Sequence, residues 1–462
     1  MSTPVSVPLW LLLLILAFAT VTFASHFLFP SVRWFFRRRA ERLVVELNKR
    51  LATPIQPFKL ARRADMVMRL SFDSDVMEAV QQEAALDGIP EDVAFQRAQR
   101  YAREIVPSFS AAAYFGFAIR AARWLSNALY DVRLDVADER ALRAIPTDAT
   151  VVFVMNHRSN MDYVLVTYLV AERTALSYAV GEWARIWPLR TLIRSMGAYF
   201  IRRKSRGQLY RRVLARYVQM AAEGGVTQAI FPEGGLSLDG ALAAPKVGLL
   251  SYIREGSERS GRPLVFVPVA LNYDRVLEDR VLIAAQTEGG RHFRARLPTV
   301  LGFWWKMTRL RLSGRFRRFG RAGVTIGRPL SLDEAEESPE AMAAQLMARI
   351  EAAMPYLPLP LVARALLEGD GPSSDAMLAE RVANYLTEAG RTERETSQEL
   401  LAEGLAMARL RHFVREGPTG IAPAPEALSL LQFYAASVTR SGPAPMPDPG
   451  QQGATRSTSL TT

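Results

Sequence analysis

A chain of 462 residues, 49% hydrophobic and 23% charged, carries enough apolar material for a large core, and 29 Gly and 27 Pro are too few for a collagenous or low-complexity protein. Cysteine is absent, which excludes disulfides, zinc-thiolate and iron-sulfur centres and thiol nucleophiles, and the four histidines (His26, His157, His292, His412) show no metal-ligand spacing. The 58 Lys and Arg against 46 Asp and Glu leave a net charge of +12, which points to an anionic partner: nucleic acid, a membrane surface or a phosphorylated substrate.

The first element in chain order is the apolar run Val7 to Phe29, with no Asp, Glu, Lys or Arg before Arg33. About 20 such residues in a helix cross the hydrocarbon core. The cations follow the run (Arg33, Arg37, Arg38, Arg39, Arg42) instead of preceding it, so the pattern predicts a retained transmembrane anchor and not a cleaved signal peptide. By the positive-inside rule the remainder then lies in the cytoplasm, against the inner face of the cell membrane. Residues 33–127 read as a helical N-terminal region, with two packed helices over Val93 to Arg103 and Ala111 to Leu129.

From 128 to 330 short β-rich runs alternate with helical ones: Val151 to Met155, Ala175 to Val180, Ala198 to Ile201, Gln228 to Phe231, Leu264 to Leu271 and Val324 to Ile326. That alternation predicts an α/β domain with a largely parallel sheet flanked by helices, whose site lies in loops at the strand ends. Within it, Thr299 to Arg321 mixes Trp304, Trp305, Phe316 and Phe319 with seven cations and no acid, which suits a membrane surface, RNA or a plain basic loop. Residues 331–440 return to helical patterns at Glu340 to Met354, Asp375 to Leu386 and Ser397 to Val414, and 441–462 reads as a disordered tail. No internal repeat is present.

Chemistry concentrates in the α/β part. The buried run Val151 to Met155 leads into Asn156-His157-Arg158-Ser159-Asn160-Met161-Asp162, where Ser159 or Asn160 caps the helix that follows. This places His157 in the turn and Asp162 in the first helical turn, positioned to hold one ring nitrogen while the other takes a hydroxyl proton. The same spacing also suits an Asp that only complements the helix N-terminus. Three later strands end in distinctive residues: Ile201-Arg202-Arg203-Lys204 in three cations, Phe231-Pro232-Glu233-Gly234-Gly235-Leu236-Ser237 in a Gly pair, and Val265 to Ala270 in a run interrupted by Pro268.

In this order the blocks NHRSNMDYVL, GAYFIRR, FPEGG-x-S and VPVAL resemble the glycerol-3-phosphate acyltransferase family, and the likeness extends from Ala98 to Val438, leaving out the anchor and tail. The resemblance implies the glycerolipid acyltransferase fold and transfer of a fatty acyl group from coenzyme A or acyl carrier protein to the 1-hydroxyl of glycerol 3-phosphate, at an anionic phospholipid membrane. It implies His157 and Asp162 as the catalytic pair, with Arg202, Arg203, Glu233, Gly234, Gly235, Ser237, Lys246 and Pro268 binding substrate. Nothing in the sequence requires a cofactor beyond the thioester donor or motivates a metal site, and no nucleic acid is expected as a partner. One position departs from the family pattern: Leu236 stands where an Arg is expected to meet the acceptor phosphate, leaving Arg202, Arg203 and Lys246 to supply that charge. Leu236 also keeps open acylation of lysophosphatidate or another lysolipid. A serine hydrolase is disfavoured because Gly235-Leu236-Ser237-Leu238-Asp239 lacks the second Gly of a nucleophile elbow. The alternative from another class is a membrane-tethered nucleic-acid-binding protein.

Overall fold

The computed structural model describes residues 8–16, 38, 42–170, 174–181, 189–202, 207–287, 309, 313, 318–369, 371–390 and 397–439. Among them are strands β1 (Asp131–Val136), β2 (Thr150–Met155), β3 (Ser177–Val180), β4 (Tyr199–Phe200), β5 (Gln228–Ile230), β6 (Leu264–Tyr273), β7 (Arg321–Ile326) and β8 (Leu330–Ser331). They form one sheet in the order β1-β7-β6-β2-β5-β3-β4, with β8 beside β6. From β6 to β4 every pairing is parallel, while β7 and β8 run antiparallel to β6 and β1 runs parallel to β7. The expected largely parallel sheet is therefore present, with an antiparallel join on one side.

β2 and β6 are buried along their whole length, as continuous apolar runs demand when helices cover both faces. Val151, Phe153, Met155, Val267, Val269 and Leu271 point to one layer, which holds the Met161–Leu169 helix and the helices Pro358–Leu367, Asp375–Glu388 and Ser397–Leu410. Val152, Val154, Phe266 and Ala270 point to the other, built from Arg63–Ser71, Ser74–Asp87, Glu91–Ile105, Gln208–Glu223, Gly248–Ser260 and Pro339–Ala352. Each buried Val, Leu or Phe is worth about 1.5–3 kcal/mol against exposure. A register slip of one residue would reverse every one of these assignments, so the alternation pins which face each strand end serves.

Pro268 sits inside this central strand without breaking it. Its carbonyl accepts from Gly327 N–H at 2.8 Å, so its own missing N–H falls on that same side, between the stretches of β6 paired with β7 and with β8. The parallel ladder to β2, where Val154 faces Pro268, is untouched.

Several expectations are corrected. The helices Glu91–Ile105 and Ile119–Leu129 both form, but not packed together: the first packs with Ser74–Asp87 and Gln208–Glu223 on one face, and the second with Met161–Leu169 on the other. The helical reading of Ser397 to Val414 stops at Leu410, and Val414–Gly417 and Gly420–Pro423 make an antiparallel hairpin. His412 ends the helix in the left-handed region at φ 57°. β1 is an addition to the expected strands: Asp131, Arg133 and Asp135 interrupt its apolar residues, as suits a strand paired on one side only.

The proposed anchor, the segment Thr299 to Arg321 and the tail 441–462 fall mainly or wholly outside the described residues, and no helix among those described is long and apolar enough to cross a membrane. Within the run 7–29, residues 9–16 are helical and all but Leu11 are exposed, with Leu9 at 72% and Trp10 at 65%.

Candidate active site

The site begins where β2 runs out. Asn156 extends the sheet by one more rung with its side chain, donating from Nδ2 to the Leu271 carbonyl at 2.9 Å and accepting the Leu271 N–H at 2.7 Å. The chain then turns over 157–160 into the Met161–Leu169 helix. Ser159 is the capping residue, its Oγ accepting the Met161 N–H at 3.1 Å, whereas Asn160 turns its amide to Glu278 at 3.0 Å. This turn lies at the carboxyl end of the parallel strands, beside the point where chain order departs from β2 in both directions, where open α/β sheets form their crevice.

His157 and Asp162 meet there, Nδ1 to Oδ2 at 2.9 Å, and both are buried. The same carboxylate oxygen accepts the backbone N–H of Arg158 at 2.8 Å and of Ser159 at 3.0 Å. The other oxygen accepts the Tyr273 hydroxyl at 2.6 Å. Asp162 thus both closes the helix N-terminus and orients the imidazole, so the two readings of its spacing hold together. Because a carboxylate only accepts, Nδ1 carries the ring proton and Nε2 is left as the basic nitrogen. The ring is stacked on Phe231 at 4.1 Å between centroids and edge-on to Tyr163 at 5.3 Å, which leaves its plane little freedom.

The segment after β5 wraps this turn. Glu233 accepts the His157 backbone N–H at 2.8 Å on one oxygen and the Ala243 N–H at 3.0 Å on the other, and burial pushes its carboxyl up to about 7. Gly234 has φ +69°, and a Cβ there would come within 2.9 Å of the Lys246 Nζ, so this glycine lets the lysine lie across the turn. Gly235 is buried next to it, and Leu236 packs half-buried against the core. Ser237 donates its N–H to the His157 carbonyl at 2.8 Å, and its Oγ knots the following turn by accepting from Gly240 N–H at 2.9 Å and donating to the Ala241 carbonyl at 2.8 Å.

The structure therefore gathers His157, Asp162, Glu233, Gly234, Gly235, Ser237 and Lys246. Arg202 it holds elsewhere: the guanidinium is bidentate on Glu104 at 2.8 and 2.5 Å and lies over the rings of Tyr101 and Tyr210. It follows β4, three strand positions from β2, which is about 14 Å at the usual spacing. Arg203 lies outside the described residues. Pro268 belongs to the sheet face opposite Tyr273 and Phe231, so it is not brought to the pair. Among the described residues no three His, Asp or Glu side chains gather as a metal site.

Three residues of the site went unread in the sequence. Tyr273 ends β6 and reaches Asp162 over a separation of 111 residues. Glu278 holds the Ser159 hydroxyl at 2.8 Å as well as Asn160, and burial raises its carboxyl pKa. Arg158 is buried beneath Phe433 with Nη1 on the Gly240 carbonyl, while Nε and Nη2 have no partner among the described residues. Its place directly after His157 was the one available signal.

Comparison with known proteins bears on residues 136–272, which match the family model described as Acyltransferase. The chain is 30% identical over 344 residues to a glycerol-3-phosphate acyltransferase of Aeromonas hydrophila, covering 68% of this chain and 40% of that one. It is 29% identical over 422 residues to one from Shewanella sp. (strain ANA-3), covering 85% and 49%. The chain thus spans less than half the length of these relatives. A crystal structure of a 1-acyl-sn-glycerophosphate (LPA) acyltransferase from Thermotoga maritima aligns at 18% identity over 63% of this chain and 96% of that one, with a TM-score of 0.33, too weak a likeness to bear on the fold.

Proposed function

Because this chain belongs to the acyltransferase family, we propose that it transfers a fatty acyl group from a thioester of coenzyme A or acyl carrier protein to the 1-hydroxyl of glycerol 3-phosphate, giving lysophosphatidate for phospholipid synthesis. The observation that carries this reading is the buried His157–Asp162 pair at 2.9 Å, with a carboxylate whose other contacts all come from donors.

His157 Nε2 takes the proton of the attacking hydroxyl. The hydroxyl oxygen bonds to the thioester carbonyl carbon, the tetrahedral intermediate collapses, the carbon–sulfur bond breaks, and the departing thiolate receives the proton back from Nε2. Asp162 stabilises the imidazolium in between, more strongly for being out of water. No acyl-enzyme and no cofactor beyond the donor enters the step. Lys246, laid over the Gly234 turn, supplies the cation for the acceptor phosphate that Leu236 does not. The run 7–29 anchors the chain in the membrane, and the cationic surface faces anionic lipid.

Leu236 favours one second reading, in which the acceptor is lysophosphatidate. Thiol release from a long-chain acyl-coenzyme A is to be compared with glycerol 3-phosphate and with lysophosphatidate as acceptors, wild type beside His157→Ala. Turnover with glycerol 3-phosphate that falls about 10²–10⁴-fold in the variant is the expected result. Turnover with lysophosphatidate alone moves the protein to the second acylation, and none with either overturns the proposal.

A further inference from the structure

The segment 112–129 presents an unusual outer face. Ala112–Ala118 is a π-helix that continues directly into Ile119–Leu129. Tyr114, Ala118, Ala122 and Ser126 turn inward, while Phe117 and Trp124, one stripe apart on the helix, stand 59% and 57% exposed with exposed Arg120 and Arg123 between them. Single exposed apolar side chains are ordinary, but two large aromatic rings flanking two arginines form a patch. From Ile105 to Tyr130 there is no Asp or Glu, so the segment's own charge is of one sign.

Two neighbours hold this segment in place. Leu51 and Ile55, on the N-terminal side, pack around the inward-facing Tyr114 with Phe115 and Ile119, and so brace the segment from behind. The Leu189–Ser195 helix is tied alongside by the bonds from Ser110 N–H to the Ser195 carbonyl at 2.9 Å and from Ser108 N–H to the Arg194 carbonyl at 3.3 Å. Arg190 and Leu192 stand exposed on that helix.

We infer that the Phe117–Trp124 face lies flat on an anionic membrane surface, with the two rings at the boundary of headgroups and acyl chains and Arg120 and Arg123 among the lipid phosphates. Rings at that depth beside cations suit such an interface, and a segment with no acid of its own adds no repulsion there. The inference deepens the proposed membrane attachment and rests on it. It also orients the site: Arg123 lies over the Tyr168 ring at 5.2 Å, so the helix that begins beside Asp162 runs directly behind the docked face.

The absence of cysteine makes a direct test available. Three single-cysteine variants of the full chain are labelled with a polarity-sensitive fluorophore in vesicles of phosphatidylglycerol and phosphatidylethanolamine, with brominated lipid as quencher. Gly116→Cys reports the face, where an added Cβ meets nothing within 4 Å; Leu13→Cys reports the apolar run; Leu86→Cys, 75% exposed in the opposite layer, is the control. The expected result is strong quenching and a blue shift at 116 and 13 and neither at 86, with quenching at 116 lost in Phe117→Ser/Trp124→Ser while turnover of micelle-dispersed donor is kept. Quenching at 13 but not at 116 overturns the docked face and leaves the attachment standing. Quenching at 116 but not at 13 supports the face and overturns the anchor. No quenching at either overturns both, and a blue shift at 116 without lipid, in protein that runs as a dimer, assigns the face to a second copy of the chain instead.

Discussion

Tyr273 donates its hydroxyl proton to Asp162 at 2.6 Å, on the carboxylate oxygen that His157 does not use. Burial and the neighbouring Asp162 charge hold the phenol pKa well above its ordinary value, so Tyr273 remains a donor at every working pH. The ring is itself fixed by Tyr130, 5.4 Å away, whose hydroxyl is spent on the Arg275 carbonyl at 2.8 Å. The orientation of His157 is thereby set from the end of β6 as well as from its own turn.

Tyr273→Phe removes that bond and keeps the ring. Hydrogen bonds to a charged group are worth about 1.5–3 kcal/mol, part of which stays with the remaining donors. The expected outcome is a fall of roughly tenfold in kcat, equal to about 1.4 kcal/mol of barrier, with KM for the acyl donor unchanged. Steady-state thiol release measures it, and a loss as large as that of His157→Ala contradicts a positioning role.

Stability should fall as pH rises across the acid range. Burial raises Glu233 from 4.5 and Asp274 from 3.8, each to about 7, although two backbone N–H groups pull each of them down. With folded values above unfolded ones, the native state binds more protons over the interval between about pH 4 and 7, so the unfolding free energy declines with rising pH there. Asp274 accepts the N–H groups of Leu359 at 2.9 Å and Arg321 at 2.7 Å, away from His157. Asp274→Asn is expected to flatten the decline in the urea midpoint over this window; an unchanged slope refutes the assignment.

Gly240 has φ +88°, and a Cβ there would come within 1.8 Å of the Phe433 carbonyl oxygen. Gly240→Ala therefore combines backbone strain with a collision that pushes the Leu428–Ala435 helix off the loop and off Arg158. Faster hydrogen exchange in that helix, together with a melting temperature lowered by several degrees, is the expected signature.

Arg202 and Lys246 should behave differently. Arg202→Ala breaks the pair with Glu104 and is expected to lower the melting temperature while leaving KM for glycerol 3-phosphate within about twofold. Lys246→Ala is expected to raise that KM about tenfold or more, the loss of one charge-assisted contact. Initial rates over a range of glycerol 3-phosphate decide it, and a large KM effect from Arg202→Ala alone reverses the assignment.

Much of the α/β core was legible in sequence because its signals are local. An all-apolar run such as Val151 to Met155 can only be buried on both sides, and the capping chemistry of Ser159 with an acid three residues later announces where the next helix starts. The pairing of His157 with Asp162 follows from that same turn, within five residues of chain. Mixed local signals are ambiguous: alternating charges mask β1, and the apolar residues before Phe413 continue a helical pattern that His412 ends.

What only the tertiary structure decided is which distant groups complete one another. Glu104 and Arg202, separated by 98 residues, neutralise each other, while Glu233 grips the His157 N–H and Tyr273 the Asp162 carboxylate across 76 and 111 residues. Sequence spacing fixes a side chain's direction only within its own element. Whether a cation is spent on an acid or left for a substrate depends on which strands the sheet sets side by side, and that order is settled by burying the apolar faces of the whole domain at once.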